Sequence, residues 1–290
     1  MKPARFDYYL PATLEEALAT LSELGSDGKV LAGGQSLVPM LNMRIAQPAA
    51  LIDINGLVDL DAITCEHGAL RVGAMVRQAT LERSGPALGQ VPLLAQALPL
   101  VGHWQTRNRG TLCGSLAHAD PSAELPLLLS VLNGSVEVHS SRGVRTVAAR
   151  DLFVSFFTTS LEADELIVAA YLPIAPARRR YAFNEFAQRH GDFALVSVAC
   201  AVEFDEQGML AHLTLALGGA GEVPLVVEAA DALGRLLDRE LIAALAERAS
   251  TACDPPSDHH ASAAFRRQLV RTLTGRMLTA LVPQEEAAAT

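Results

Sequence analysis

The chain has 290 residues, half of them hydrophobic, and a formal net charge of −9. That length allows two domains and a substantial core, while the acidic balance argues against a nucleic-acid partner, which wants a basic face. No apolar run reaches the roughly 18 residues of a membrane span. The start, "MKPARFDYYLPATLEEAL", lacks the apolar centre of a signal peptide, so a cytoplasmic protein without a membrane span is expected. Four cysteines, at 65, 113, 200 and 253, show no metal-ligand spacing, so neither zinc nor an iron–sulfur cluster is expected on this chain.

In chain order, Thr13 with Glu16 three residues on forms a capping box. Leu14, Ala17, Leu18, Leu21 and Leu24 give that helix an apolar stripe, and Gly25 ends it. A strand over 29–32 leads into Gly33-Gly34, then a helix from Ser36 to about Met43 and a strand over 50–54. A strand over 69–73 and helices near 76–84 and 92–101 follow. Residues 102–121, "GHWQTRNRGTLCGSLAHADP", show no periodicity and read as a functional loop. An apolar helix over 122–132, a hairpin of 136–139 with 144–147, and a strand over 165–172 come next. Residues 173–180, rich in Pro and Arg, read as a linker. Strands over 193–204 and 211–217 precede three helices, at about 224–236, 239–249 and 261–281. A disordered tail is expected at 286–290.

Three glycine-rich stretches invite a nucleotide. "LAGGQS" follows a strand and opens a helix. Its backbone N–H groups and helix start suit an anion, with Ser36 as cap or phosphate donor. An ordinary tight turn reads equally from the same residues. "RNRGTLCGSLAHADPSAE" combines Gly110, Gly114, Thr111 and Ser115 with a following helix start. "LGGAGEVP" fails the GxGxxG spacing, because Pro224 stands where the third glycine belongs, and reads as a plain connection. The P-loop spacing also fails, since Gly28-Lys29 is followed by Val30. Two separate glycine segments remain, and a ligand with two phosphates suits a grip between them.

The ordered set "LAGGQSLVPMLNMR", "LIDIN", "TRNRGTLCGSLAHADPSAELP" and "RHGDFALVSVACAV" resembles the medium, flavin-carrying subunit of the molybdenum hydroxylases. That family includes carbon monoxide dehydrogenase, N-heterocycle dehydrogenases and the flavin domain of xanthine dehydrogenase. The resemblance implies an α+β fold. Its FAD-binding domain would be of the vanillyl-alcohol-oxidase (PCMH) type, spanning 1–175 with subdomains of about 1–57 and 58–175. A C-terminal flavoprotein domain of antiparallel strands and helices would span 176–285. It further implies that Ala32, Gly33, Gly34, Gln35 and Ser36 bind the FAD pyrophosphate, with Gly110, Thr111, Gly114 and Ser115 as a second phosphate-side clamp. Glu124 would bond the cofactor's polar portion. Leu166 would lie near adenine, and Phe193 near the isoalloxazine. Molybdopterin and [2Fe-2S] clusters would belong to a large and a small partner subunit, in a dimer of heterotrimers. FAD would relay electrons from the clusters to an external acceptor, with no catalytic side chain on this chain.

Cys113 stands where relatives usually have a third glycine, so a position needing positive φ would be strained there. Glu124 replaces a frequent Asp, and Glu185 stands where some relatives carry Lys and receives no cofactor role. His118 reads either as orienting its loop through Asp120 or as a neighbour of the cofactor. Two other functions stay open: a self-contained flavin oxidase, with Cys113 as its candidate reactive group, or a non-redox scaffold that binds an adenine nucleotide.

Overall fold

Thr13 opens the first helix, Leu14–Leu24, as the capping box predicts: its hydroxyl oxygen accepts the Glu16 N–H at 3.2 Å. The Glu16 carboxylate reaches back one residue further than the motif requires, to the Ala12 N–H at 2.8 Å. Gly25 ends the helix at φ +53°, a left-handed value that glycine adopts without strain. A computed structural model describes residues 2–283; the expected tail at 286–290 lies outside the described residues.

The described residues fall into two compact units. The first comprises the chain up to residue 91 with 101–120 and 133–174; the second takes 92–100, 121–132 and the chain from 175 onward. The first unit holds a parallel three-stranded sheet in the order Asp7–Tyr9, Ala50–Asp53, Gly28–Leu31. Its central strand is buried along its whole length, as parallel strands covered on both faces are. A five-stranded antiparallel sheet follows the order Ile63–Glu66, Ala69–Gly73, Leu166–Pro173, Ser135–Ser140, Gly143–Ala148.

The second unit is built on an antiparallel sheet of Arg180–Phe186, Val196–Phe204, Leu210–Gly218 and Leu225–Val227. Alternation along Val196–Phe204 sends Val196, Val198, Cys200 and Val202 into one core with Leu241, Leu245, Val270, Leu273 and Met277 of the two C-terminal helices. Those helices run Arg239–Ala252, capped by Asp238, and Ala263–Leu281, capped by Ser262. Ser197 and Gly218 point to the opposite face, toward Leu127 of the helix Glu124–Val131.

Several expectations are corrected. Residues 102–121 are no irregular loop: they carry the helices Trp104–Arg109 and Leu112–His118. The helix expected at 224–236 is an edge strand, Leu225–Val227, and one 3₁₀ turn, Ala230–Ala232. The linker ends earlier than expected, because Arg180 already pairs with Val202. Two short strands, Asp7–Tyr9 and Ile63–Glu66, had no signal in the pattern. The chain also passes back and forth between the two units: the helices Pro92–Ala97 and Glu124–Val131 cluster with the C-terminal sheet.

Candidate phosphate-binding site

The strand Gly28–Leu31 delivers the chain to Ala32, and two glycines follow for different reasons. Gly33 is buried against a main-chain neighbour: a Cβ there would run into the Arg109 carbonyl oxygen and sit 2.7 Å from the Gly110 Cα. Gly34 adopts φ +70°, strained for any L side chain, and a Cβ would come within 3.1 Å of Val38 Cγ2. The two glycine segments, far apart in sequence, therefore meet backbone to backbone. Among the described residues, no acceptor of the chain takes the N–H groups of Gly33, Gly34, Gln35 or Ser36. Buried or half-buried amide donors are ordinarily paired. Unpaired in succession, these donors, that of Gln35 on an exposed residue, are available to an anion. Ser36 makes no cap hydrogen bond, so its hydroxyl is left for a ligand. Gln35 turns its side chain back to the Gly33 carbonyl at 3.1 Å. The helix that follows, Leu37–Asn42, has six residues, so the amides rather than a helix dipole supply the positive potential.

The second segment is held from below by Arg107, only 9% exposed. Its guanidinium bonds Glu82 at 2.8 Å and the carbonyls of Val101 and Gly102. Gly110 closes the helix Trp104–Arg109 by donating to Thr106 O at 2.7 Å. Thr111 then caps the next helix, its Oγ1 accepting the Gly114 N–H at 3.0 Å. Gly114 is small of necessity, because a Cβ would lie 2.8 Å from that oxygen. Cys113 sits inside the helix, 3% exposed, and is not among the positive-φ residues, so the expected strain at this position does not arise. Burial pushes its thiol up to about 12, against a smaller opposing effect of Arg71. A thiol so protonated is no nucleophile at neutral pH, which removes the support for a self-contained oxidase built on it.

A side-chain chain ties the two segments together. Tyr8 Oη donates to Asp53 Oδ2, and Asp53 Oδ1 accepts both the main-chain and side-chain N–H groups of Asn55. Burial pushes the Asp53 carboxyl up, but these bonds outweigh it and hold the group below the usual carboxylate range. Asn55 Nδ2 also donates to Ala32 O at 2.9 Å. Arg77 donates through Nη2 to Asn55 Oδ1 and through Nη1 to Arg109 O, both at 2.6 Å. Beside it, the Gln78 N–H takes Gly110 O at 2.9 Å. Sequence reasoning assigned none of these residues a role. Asp53 and Asn55, in "LIDIN", stood in a stretch already singled out; Tyr8 and Arg77 did not.

The remaining expected residues are more dispersed. Leu166 begins the strand Leu166–Pro173 opposite His139 and is 6% exposed. Glu124, 4% exposed, lies in the first turn of Glu124–Val131, and Phe193, 61% exposed, precedes Val196–Phe204; both belong to the second unit. His118 packs on Phe157 with ring centroids 5.1 Å apart, and burial lowers its pKa against the opposing pull of Asp120. Glu185 lies opposite Ser197. Burial raises the Glu185 carboxyl to about 7.

Comparison with known proteins bears on the same segments. Residues 4–175 match the family described as the FAD binding domain in molybdopterin dehydrogenase, and 181–281 match the CO dehydrogenase flavoprotein C-terminal domain. The chain is 40% identical over 282 residues to the 6-hydroxypseudooxynicotine dehydrogenase complex subunit alpha of Paenarthrobacter nicotinovorans, covering 96% of this chain and 95% of that protein. A structure of carbon monoxide dehydrogenase from Hydrogenophaga pseudoflava matches with TM-score 0.93 at 35% identity, over 97% of this chain and 98% of the other. Quinoline 2-oxidoreductase from Pseudomonas putida 86 matches with TM-score 0.92 at 37% identity, with the same coverage.

Proposed function

The chain belongs to the FAD-binding medium-subunit family of the molybdenum hydroxylases, and from that premise we propose that its two joined glycine segments seat the FAD pyrophosphate. The observation that carries the reading is the row of unpaired amides at 33–36, set where Gly33 lies directly on the backbone of Arg109 and Gly110. Main-chain donors make an anion site that an overall charge of −9 does not cancel.

The residues of the first turn suit the cofactor's pyrophosphate. Gly33 and Gly34 keep side chains out of the phosphates' path, and the Ser36 hydroxyl adds a donor beside the amides. We assign Gly110, Thr111, Gly114 and Ser115 to the second side of the clamp, where the glycines allow close approach and Ser115 offers its hydroxyl, since the Gly110, Gly114 and Ser115 N–H groups already donate within the chain. Ala32 and Gln35 shape the first turn, Glu124 bonds the polar portion, Leu166 serves the adenine end and Phe193 the isoalloxazine. Bound FAD supplies the electron transfer; the chain positions it and shields it from water.

As an oxidoreductase subunit of a heteromeric complex, the chain accepts electrons released at a partner's molybdenum centre and passes them to an external acceptor. The relatives include medium subunits of such complexes. We assign the [2Fe-2S] clusters to a small subunit and molybdopterin to a large one, in a dimer of heterotrimers in the cytoplasm. Among the described residues no helix is long and apolar enough to cross a membrane.

The test is flavin content. The complex purified with its partners is expected to hold one FAD per copy of this chain. Gly34→Val, which forces a β-branched side chain to positive φ, is expected to retain less than about a tenth of it. A folded Gly34→Val complex with its full flavin would overturn the assignment.

A further inference from the structure

We propose that Asn55 and Arg77 are positioning residues of the phosphate site, a two-residue strut that turns one carbonyl of each glycine segment inward. The ligand in this inference rests on the FAD reading above; the geometry does not. A trans peptide holds its C=O and the next N–H on opposite sides. With Ala32 O held by Asn55 Nδ2 at 2.9 Å, the Gly33 N–H is turned away from the strut, as the first donor of the row. Glycine at 33 and 34 leaves this backbone unusually free to rotate, and a rotated peptide presents an oxygen where a phosphate expects a donor.

Arg77 supplies what Asn55 alone lacks. Its Nη2 on Asn55 Oδ1 fixes which way the Asn55 amide faces, while its Nη1 holds Arg109 O. That carbonyl oxygen is the atom a Cβ on Gly33 would strike. One planar guanidinium therefore sets both the first turn's peptide and its spacing from the second segment, a task for a rigid fork rather than a point charge. Each terminal nitrogen places one N–H on these partners, and through those two bonds Arg77 acts on the loops. Tyr8 and Asp53 anchor the far end of the strut.

The experiment measures the FAD dissociation constant of the flavin-free full chain by quenching of flavin fluorescence. Asn55→Ala and Arg77→Lys are each expected to weaken binding about 10- to 100-fold, with the double variant within about threefold of the weaker single, because the two act as one unit. Arg77→Gln is expected to lose as much, which covers a poorly folding lysine variant. Losses that multiply in the double variant, or an Arg77→Lys chain within about threefold of wild type, overturn the strut. A crystal structure of flavin-free Asn55→Ala reads the geometry without the cofactor: the Ala32–Gly33 peptide is expected to rotate, and an unmoved peptide overturns the proposal. Failure of the wild-type chain to bind FAD would strike the functional reading instead, leaving the structural arm to judge the strut.

Discussion

Leu31-Ala-Gly-Gly-Gln-Ser36 and Leu217-Gly-Gly-Ala-Gly-Glu222 are written in nearly the same letters and are used in opposite ways. In the second, the Gly219 N–H donates to Pro121 O at 2.7 Å and Ala220 O accepts from the Asp254 N–H at 3.0 Å. Gly219 has φ +65°, and a Cβ would sit 2.8 Å from Leu195 O; a Cβ on Gly218 would strike Ser197 Oγ. Here glycine lets main chains cross inside a packed unit, and the polar groups are consumed in doing so. In the first turn glycine allows an equally close crossing, yet the amides at 33–36 stay unspent. What separates a binding turn from a structural one is the hydrogen-bond account of the backbone, which the glycine count does not reveal.

Substitutions at the paired positions sharpen that contrast. Gly33→Ala has the largest expected effect, a loss of about 3 kcal/mol or more in unfolding stability together with the flavin, because the methyl meets main chain that cannot step aside. Gly219→Ala is expected to cost about 2 kcal/mol in denaturant unfolding, from positive φ and the contact with Leu195 O, while the folded protein keeps its FAD. Loss of flavin from a folded Gly219→Ala chain would erase the distinction between the turns.

Glu185, across the strand from Ser197, gives a pH signature. Its folded pKa, raised by burial to about 7 from the ordinary 4.5, makes its contribution to stability fully present below about 4.5 and lost as pH rises through 7. Glu185→Gln should therefore be more stable than wild type above pH 7, by about 1–2 kcal/mol after allowance for partial exposure, with the gap closing toward pH 4.5 in parallel thermal melts. The smallest effect is expected of Ser115→Ala: about 1 kcal/mol, or fivefold, in FAD affinity by fluorescence titration, with unfolding unchanged.

Features encoded locally were legible in the sequence. The capping box at Thr13, the turn at Gly33-Gly34 and the long C-terminal helices each carry their signal within a few residues. Features that depend on a distant partner were not. Leu225–Val227 is apolar enough to suit either period, and only its register with Leu215–Leu217 makes it a strand. Arg180–Phe186 hides behind its arginines, but Phe183 and its neighbours are fixed by pairing with Val196–Val202. The helices at 104–109 and 112–118 are too short to display a period. At the site, the glycine turns stood out because their conformation is local, whereas Asn55 and Arg77 contact carbonyls 23 and 32 residues away and leave no pattern to read.

The interleaved course of the chain has a practical consequence. Helices Pro92–Ala97 and Glu124–Val131 are spliced into the N-terminal half of the polypeptide yet cover the C-terminal sheet. A gene fragment starting at residue 176 would encode that sheet with one face stripped, including the surface where Leu127 meets Ser197 and Gly218. Such a fragment will self-associate rather than behave as a portable module, and recombination among relatives preserves this unit only when all three of its segments travel together.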